Sequence, residues 1–161
     1  MRDYDWVSPA MRQTHGKSYL SLHPYLQAAY LWLEARTPPD AFLYLFVGQR
    51  TETTQNLAYR SGNSNARFGQ SYHNMNPSLA FDVVPVWQDN PRTIEWDSPR
   101  TTELLSHLAA EAQPLLAWGG AWKSIRGDVY HFQIPGDPKL NPEKLGIDPT
   151  ATYSLNVEIK L

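Results

Sequence analysis

The stretch Ser71–Val86, SYHNMNPSLAFDVVPV, decides how the rest of the chain is read. In its second half Ala80, Asp82 and Val84 fall on one side of an extended backbone and Leu79, Phe81 and Val83 on the other, so LAFDVVPV predicts a β-strand. Asp82 is then a carboxylate inside a sheet, either a buried cap or turn former or a ligand, and His73 stands just upstream of it.

Upstream, LHPYLQAAYLWLEA places Leu22, Leu26, Ala29 and Leu33 at helical spacing, with Pro24 in the first turn and Pro38-Pro39 as the stop. Phe42 to Val47 is an apolar run too short for a helix and bounded by Asp40 and Gly48, which predicts a buried strand with Gln49 and Arg50 at its end. TETTQNLAYRSG predicts a short helix closed by Gly62, and Asn63 to Gln70 a mobile polar loop able to cover part of a neighbouring site.

Downstream, Ser98-Pro99 is a cap and first-turn pair for a helix carrying Leu104, Leu105, Leu108 and Ala112, ended by Pro114. WGGAW leads into VYHFQI, a third strand with His131 inside it. Tyr153, Leu155, Val157 and Ile159 alternate with polar residues and predict a half-buried edge strand.

A length of 161 residues suits one domain, and 42% hydrophobic with 19% charged residues is ordinary globular composition. With 14 basic and 16 acidic residues the net charge of -2 leaves no footprint for nucleic acid or an anionic membrane. No stretch has the length and apolarity of a signal peptide or a membrane span, so the expectation is a protein cytoplasmic as synthesised. There is no cysteine, so a metal must be held by imidazole and carboxylate.

Zinc bound without thiolates commonly takes two imidazoles and one carboxylate, leaving a fourth position for water. His73, Asp82 and His131 supply that set on or beside predicted strands, although each alone also reads as a structural or surface residue. Asp128, three residues before His131, suits a general base acting on that water; a turn aspartate after Gly127 is the plainer account. Arg50 offers a fork of donors to a developing oxyanion, or is a solvated surface arginine. Ser71 either bonds substrate or orients the segment bearing His73, and Trp118 and Trp122 either line a cleft or pack in the core. His15, His23 and His107 have no partner at ligand spacing.

SYHNMNPSLAFDV resembles the Ser-x-His…Ala-x-Asp motif, and GDVYHFQ the Asp-x-x-His motif, of the D-alanyl-D-alanine carboxypeptidase-like zinc peptidases, which include phage L-alanyl-D-glutamate endopeptidases. LHPYLQ, VGQRTETTQ and WGGAWKS resemble the same family in the same order, so the likeness spans about residues 22–134. It implies zinc ligands at His73, Asp82 and His131, a catalytic carboxylate at Asp128 and a substrate-contacting arginine at Arg50. The WGG segment and short chain look like the phage endolysin branch. Two departures stand out. The interval between His73 and Asp82 is two residues longer than usual, with Ser78 where glycine is common, and Ala121 stands where many phage members have aspartate. An insertion in a surface loop leaves metal binding intact and reshapes the cleft wall.

The expected protein is therefore a single α+β domain over 1–161, hedgehog/D-Ala-D-Ala peptidase-like. It has a small, largely antiparallel sheet, two or three packed helices and a zinc cleft, and 135–161 form a C-terminal extension. The expected function is zinc-dependent hydrolysis in the peptidoglycan stem peptide, most naturally at the L-alanyl-D-glutamate bond, by a monomeric bacteriophage lysin that meets the wall after release. Catalysis falls to Asp128 and Arg50, and substrate contact to Ser71 and Trp122. A D-alanyl-D-alanine carboxypeptidase and a non-catalytic zinc-containing wall-binding module are the alternatives.

Overall fold

The computed structural model describes residues 4–122 and 127–135. The elements run α1 (Pro9–Leu20), α2 (Pro24–Arg36), β1 (Ala41–Val47), α3 (Glu52–Arg60), a 3-10 turn (Tyr72–Asn74), β2 (Ala80–Trp87), α4 (Pro99–Ala112), β3 (Ala117–Trp118), a second 3-10 turn (Gly119–Ala121) and β4 (His131–Gln133). The four strands form one antiparallel sheet in the order β1-β2-β4-β3, and with the helices this is an α+β fold. The alternation expected at Tyr153–Ile159 lies outside the described residues.

Alternation along the strands sends consecutive residues to two different layers. Leu43, Leu45, Phe81, Val83 and Phe132 join a core with Leu26, Tyr30 and Leu33 of α2 and Leu105 and Leu108 of α4. Phe42, Tyr44, Val84 and Val86 pack on the other face with Tyr4 and Val7. Both faces of β2 are thus buried, as a run rich in valine and phenylalanine requires. Pro85 is tolerated inside it because β4 pairs only with Ala80–Asp82, so among the described residues the far half of β2 has one free side for a residue with no N–H to give.

Helices α2, α3 and α4 are those expected from the sequence. Thr51 and Ser98 cap the last two by accepting the Thr54 and Thr101 N–H groups, and Gly62 follows α3 in the left-handed conformation, φ +78°. Helix α1 was not anticipated. It has no apolar stripe, and its single buried residue is His15. Ser8, which accepts from Met11 N–H, and Pro9 in the first turn were its only start signals. The end of α1 lies so close to β1 that a Cβ on Gly48 would run into Ser21 Oγ and come within 2.5 Å of Ser18 O. Only glycine fits there.

Candidate metal centre

The pairing of β2 with β4 builds the site. Asp82 lies opposite His131 and Ala80 opposite Gln133, so these side chains share one face, while Phe81 and Phe132 stack in the core at 5.7 Å on the other. His73 arrives from the 3-10 turn, where Ser71 Oγ accepts the His73 N–H at 3.3 Å and Ser71 and Asn74 form a capping box. The interval between His73 and Asp82 is pinned where it rejoins the sheet. Ser78 is fully buried, bridges to Leu22 and donates its hydroxyl to Ala80 O.

His73 Nε2, His131 Nδ1 and Asp82 Oδ1 stand 3.0–3.2 Å from one another, and all three residues are buried. Three donors held about 2.0–2.1 Å from a tetrahedral ion are ~3.3 Å apart, so the triangle already has the size zinc requires. The outer ring nitrogens explain which atoms point inward. His73 Nδ1–H donates to Gly48 O at 2.7 Å and His131 Nε2 faces Gln133 Oε1 at 2.9 Å. Each neutral ring therefore offers its inner lone pair to the same point as a carboxylate, an arrangement that repels itself unless a cation lies between.

The electrostatics agree. Burial works against the Asp82 carboxylate, but the charges and hydrogen bonds of His73 and His131 win and hold it well below its usual range. Burial lowers His73. At His131 burial also lowers, yet the hydrogen bond and charge of Asp82, with Gln133, carry the ring above its ordinary value, so a proton competes there with a cation. Arg50 Nη2 lies 3.1 Å from Asp82 Oδ2, the carboxylate oxygen turned away from the triangle.

A cleft of about 880 Å³ opens over the three ligand candidates, and Arg50, Ser71, Trp122 and Asp128 line it as well. That volume accommodates a short peptide. Asp128 Oδ1 accepts the Tyr130 N–H at 3.2 Å, and burial first, then the charge of Asp82, raise its carboxyl above the ordinary value. The glycine pair of WGGAW fixes this residue: Asp128 N–H donates to Gly119 O, and a Cβ on Gly119 would meet Asp128 O at 2.5 Å. Trp122 leans on His131 with ring centroids 5.0 Å apart. Trp118 donates Nε1–H to Val129 O and braces the Asp128 turn.

The structure thus gathers Arg50, Ser71, His73, Asp82, Trp122, Asp128 and His131 around one cleft, with Trp118 not among the residues that line it. Residues 64–134, just under half of the chain, match the family model described as D-alanyl-D-alanine carboxypeptidase. The site-bearing segment is thus similar to that family. The match contains His73, Asp82, Asp128 and His131, and Arg50 lies upstream of it. Among solved structures the chain is similar to the L-Ala D-Glu endopeptidase ChiX of Serratia marcescens, at 23% identity over 76% of this chain and 86% of that one, with a TM-score of 0.51. That likeness is one of fold. No curated protein matches the chain significantly.

Gln133 is the site residue that sequence reading missed. The pattern that placed His131 on a strand puts residue 133 on the same face, which was the available signal. The histidines set aside are accounted for elsewhere: His15 accepts from Leu45 N–H, His23 caps α2, and His107 pairs with Glu111 on the surface. Among the described residues no helix is long and apolar enough to cross a membrane.

Proposed function

We propose that the chain is a zinc-dependent peptidoglycan peptidase that cuts the L-alanyl to D-glutamyl bond of the stem peptide, as a monomeric single-domain lysin of phage type reaching the wall after release. The observation that carries this reading is the convergence of two imidazole lone pairs and a carboxylate oxygen on one point in a cleft that also holds a raised carboxyl. The likeness to the Serratia L-Ala D-Glu endopeptidase favours the L-alanyl to D-glutamyl bond.

His73, Asp82 and His131 would hold the ion, and a zinc ion there supplies Lewis acidity, polarising the scissile carbonyl and acidifying water. Gly48 O and Gln133 keep the two rings aimed. Asp128 takes the proton from the attacking water and passes it to the departing amine, a task suited to a carboxyl raised by burial. Arg50 steadies Asp82 with one arm and lines the cleft, where it would stabilise the negative charge that develops on the carbonyl oxygen. Ser71 and Trp122 form the adjoining wall.

The description of the matched family favours a second reading, removal of a terminal D-alanine. Mass spectrometry of the products released from purified peptidoglycan separates the two. Free stem peptides starting with D-glutamate, absent after chelation and absent with Asp128→Asn that still carries metal, support the endopeptidase. Loss of terminal D-alanine alone establishes the carboxypeptidase. No metal-dependent product overturns the peptidase reading in favour of a wall-binding module.

A further inference from the structure

Helix α3 is held down in an unusual way. Its one buried residue is Gln55, fully enclosed, where a short surface helix would ordinarily present leucine or valine. Every polar group of that side chain is engaged. Nε2 donates to Ser64 Oγ at 2.9 Å and to Ala66 O at 2.6 Å, and Oε1 accepts from Asn74 Nδ2 at 3.2 Å. Asn74 is engaged just as fully. Its Oδ1 accepts from Gly69 N–H and Ser71 N–H, and its Nδ2 also reaches Arg50 O.

What these two amides join matters more than their number. Ser64, Ala66 and Ser71 line the cleft, as Trp122 and Asp128 do. Asn74 closes the turn that carries His73, and Arg50 N–H donates to His73 O at 2.7 Å. One continuous set of hydrogen bonds therefore runs from the irregular wall of the cleft, through the interior, to the arginine and to a ligand candidate. The segment 63–71 has no strand or helix of its own to fix it, so the amide pair supplies its frame.

We propose that Gln55, together with Asn74, is a positioning unit that holds the cleft wall at its working distance from the metal centre, and so governs how substrate is held rather than whether the ion is bound. The kinetic side of this rests on the peptidase reading; the structural side does not.

The test is Gln55→Met, which keeps length and volume and removes all three hydrogen bonds. It should stay folded by thermal melting and hold zinc with an affinity within about twofold in chelator competition. Amide exchange at Gly69 and Ser71 should quicken by at least an order of magnitude as Asn74 loses its anchor. On wall peptides kcat/KM should fall on the order of tenfold or more, mostly through KM, since a misplaced wall loses binding before chemistry. Should Gln55→Met fail to fold, Ser64→Ala removes one acceptor from the same amide, and the same exchange and KM changes should follow in weaker form. Unchanged exchange at Gly69 and Ser71 in a folded variant overturns the proposal, as does quickened exchange with KM intact. A wild-type protein that cuts no wall peptide defeats the peptidase reading alone, and exchange then decides the positioning claim.

Discussion

Acidification should destabilise this protein through a histidine remote from the chemistry. His15 is 3% exposed, lies between the rings of Tyr30 and Phe42 at 5.3 and 5.0 Å, and accepts the Leu45 N–H at 3.1 Å through Nδ1. Its Nε2 has no partner among the described residues, and burial holds its pKa down at about 4. In the unfolded chain the ring returns to about 6.5. Between those values the unfolded state takes up a proton that the folded state refuses, so stability is complete above pH 6.5, falls as pH drops, and levels off below about 4. The interval is worth about 3 kcal/mol in all, and roughly 2 kcal/mol of it should be lost between pH 7 and pH 5. Other groups titrate over the same range, so the measurement is a difference of differences. Urea unfolding at both pH values is compared between wild type and His15→Asn, whose amide oxygen can still accept the Leu45 N–H but does not titrate. The wild type should lose about 2 kcal/mol more than the variant on going to pH 5. Equal losses would refute the reasoning, because they would mean that the folded protein accommodates a charged ring at this position.

Three further outcomes follow from the site. Gln133→Met should weaken zinc binding about 10- to 100-fold in chelator competition, and Gln133→Glu, which keeps an acceptor for His131 Nε2–H, should recover most of it; equal affinity in all three proteins would remove Gln133 from the site. Gly119→Ala should cut peptide hydrolysis on the order of 100-fold with the fold retained, because its Cβ displaces the Asp128 backbone, and full activity in that variant would show that the turn can yield. Zinc affinity should fall as pH drops through the raised pKa of His131, since the ion must displace the proton held there, and calorimetry in two buffers of different ionisation enthalpy should register the released proton; zinc uptake without proton release would contradict this assignment.

Much of this architecture is legible in the sequence because the strands obey a strict period. Once LAFDVVPV and VYHFQI are read as strands, Asp82 and His131 are bound to leave the core faces held by Phe81 and Phe132, and only their register remained to be found. Helix α4 announces itself by Ser98-Pro99 and helix α3 by the Gly62 that closes it. Helix α1 does not, because it packs through a histidine and by close approach to Gly48 rather than through an apolar stripe. Gln55, Asn74 and Gln133 were missed for a related reason. In a sequence an amide reads as a surface residue; for Gln55 and Asn74 only three-dimensional placement reveals that their hydrogen-bonding groups are spent inside, whereas strand period already put Gln133 on the face of His131. The pairing of Arg50 with Asp82 was equally hidden, since 32 residues separate them in the chain.

Strand β4 is only three residues long, and those residues alternate between the metal face and the core: His131 and Gln133 on one side, Phe132 on the other. A slip of one residue against β2 would turn Phe132 into the cleft and drive His131 into hydrocarbon. No misregistered form can therefore keep the ion and forfeit the core, or the reverse. Under the proposed function, zinc occupancy in a preparation then doubles as an audit of folding fidelity, counting the molecules whose central strands have found their proper alignment.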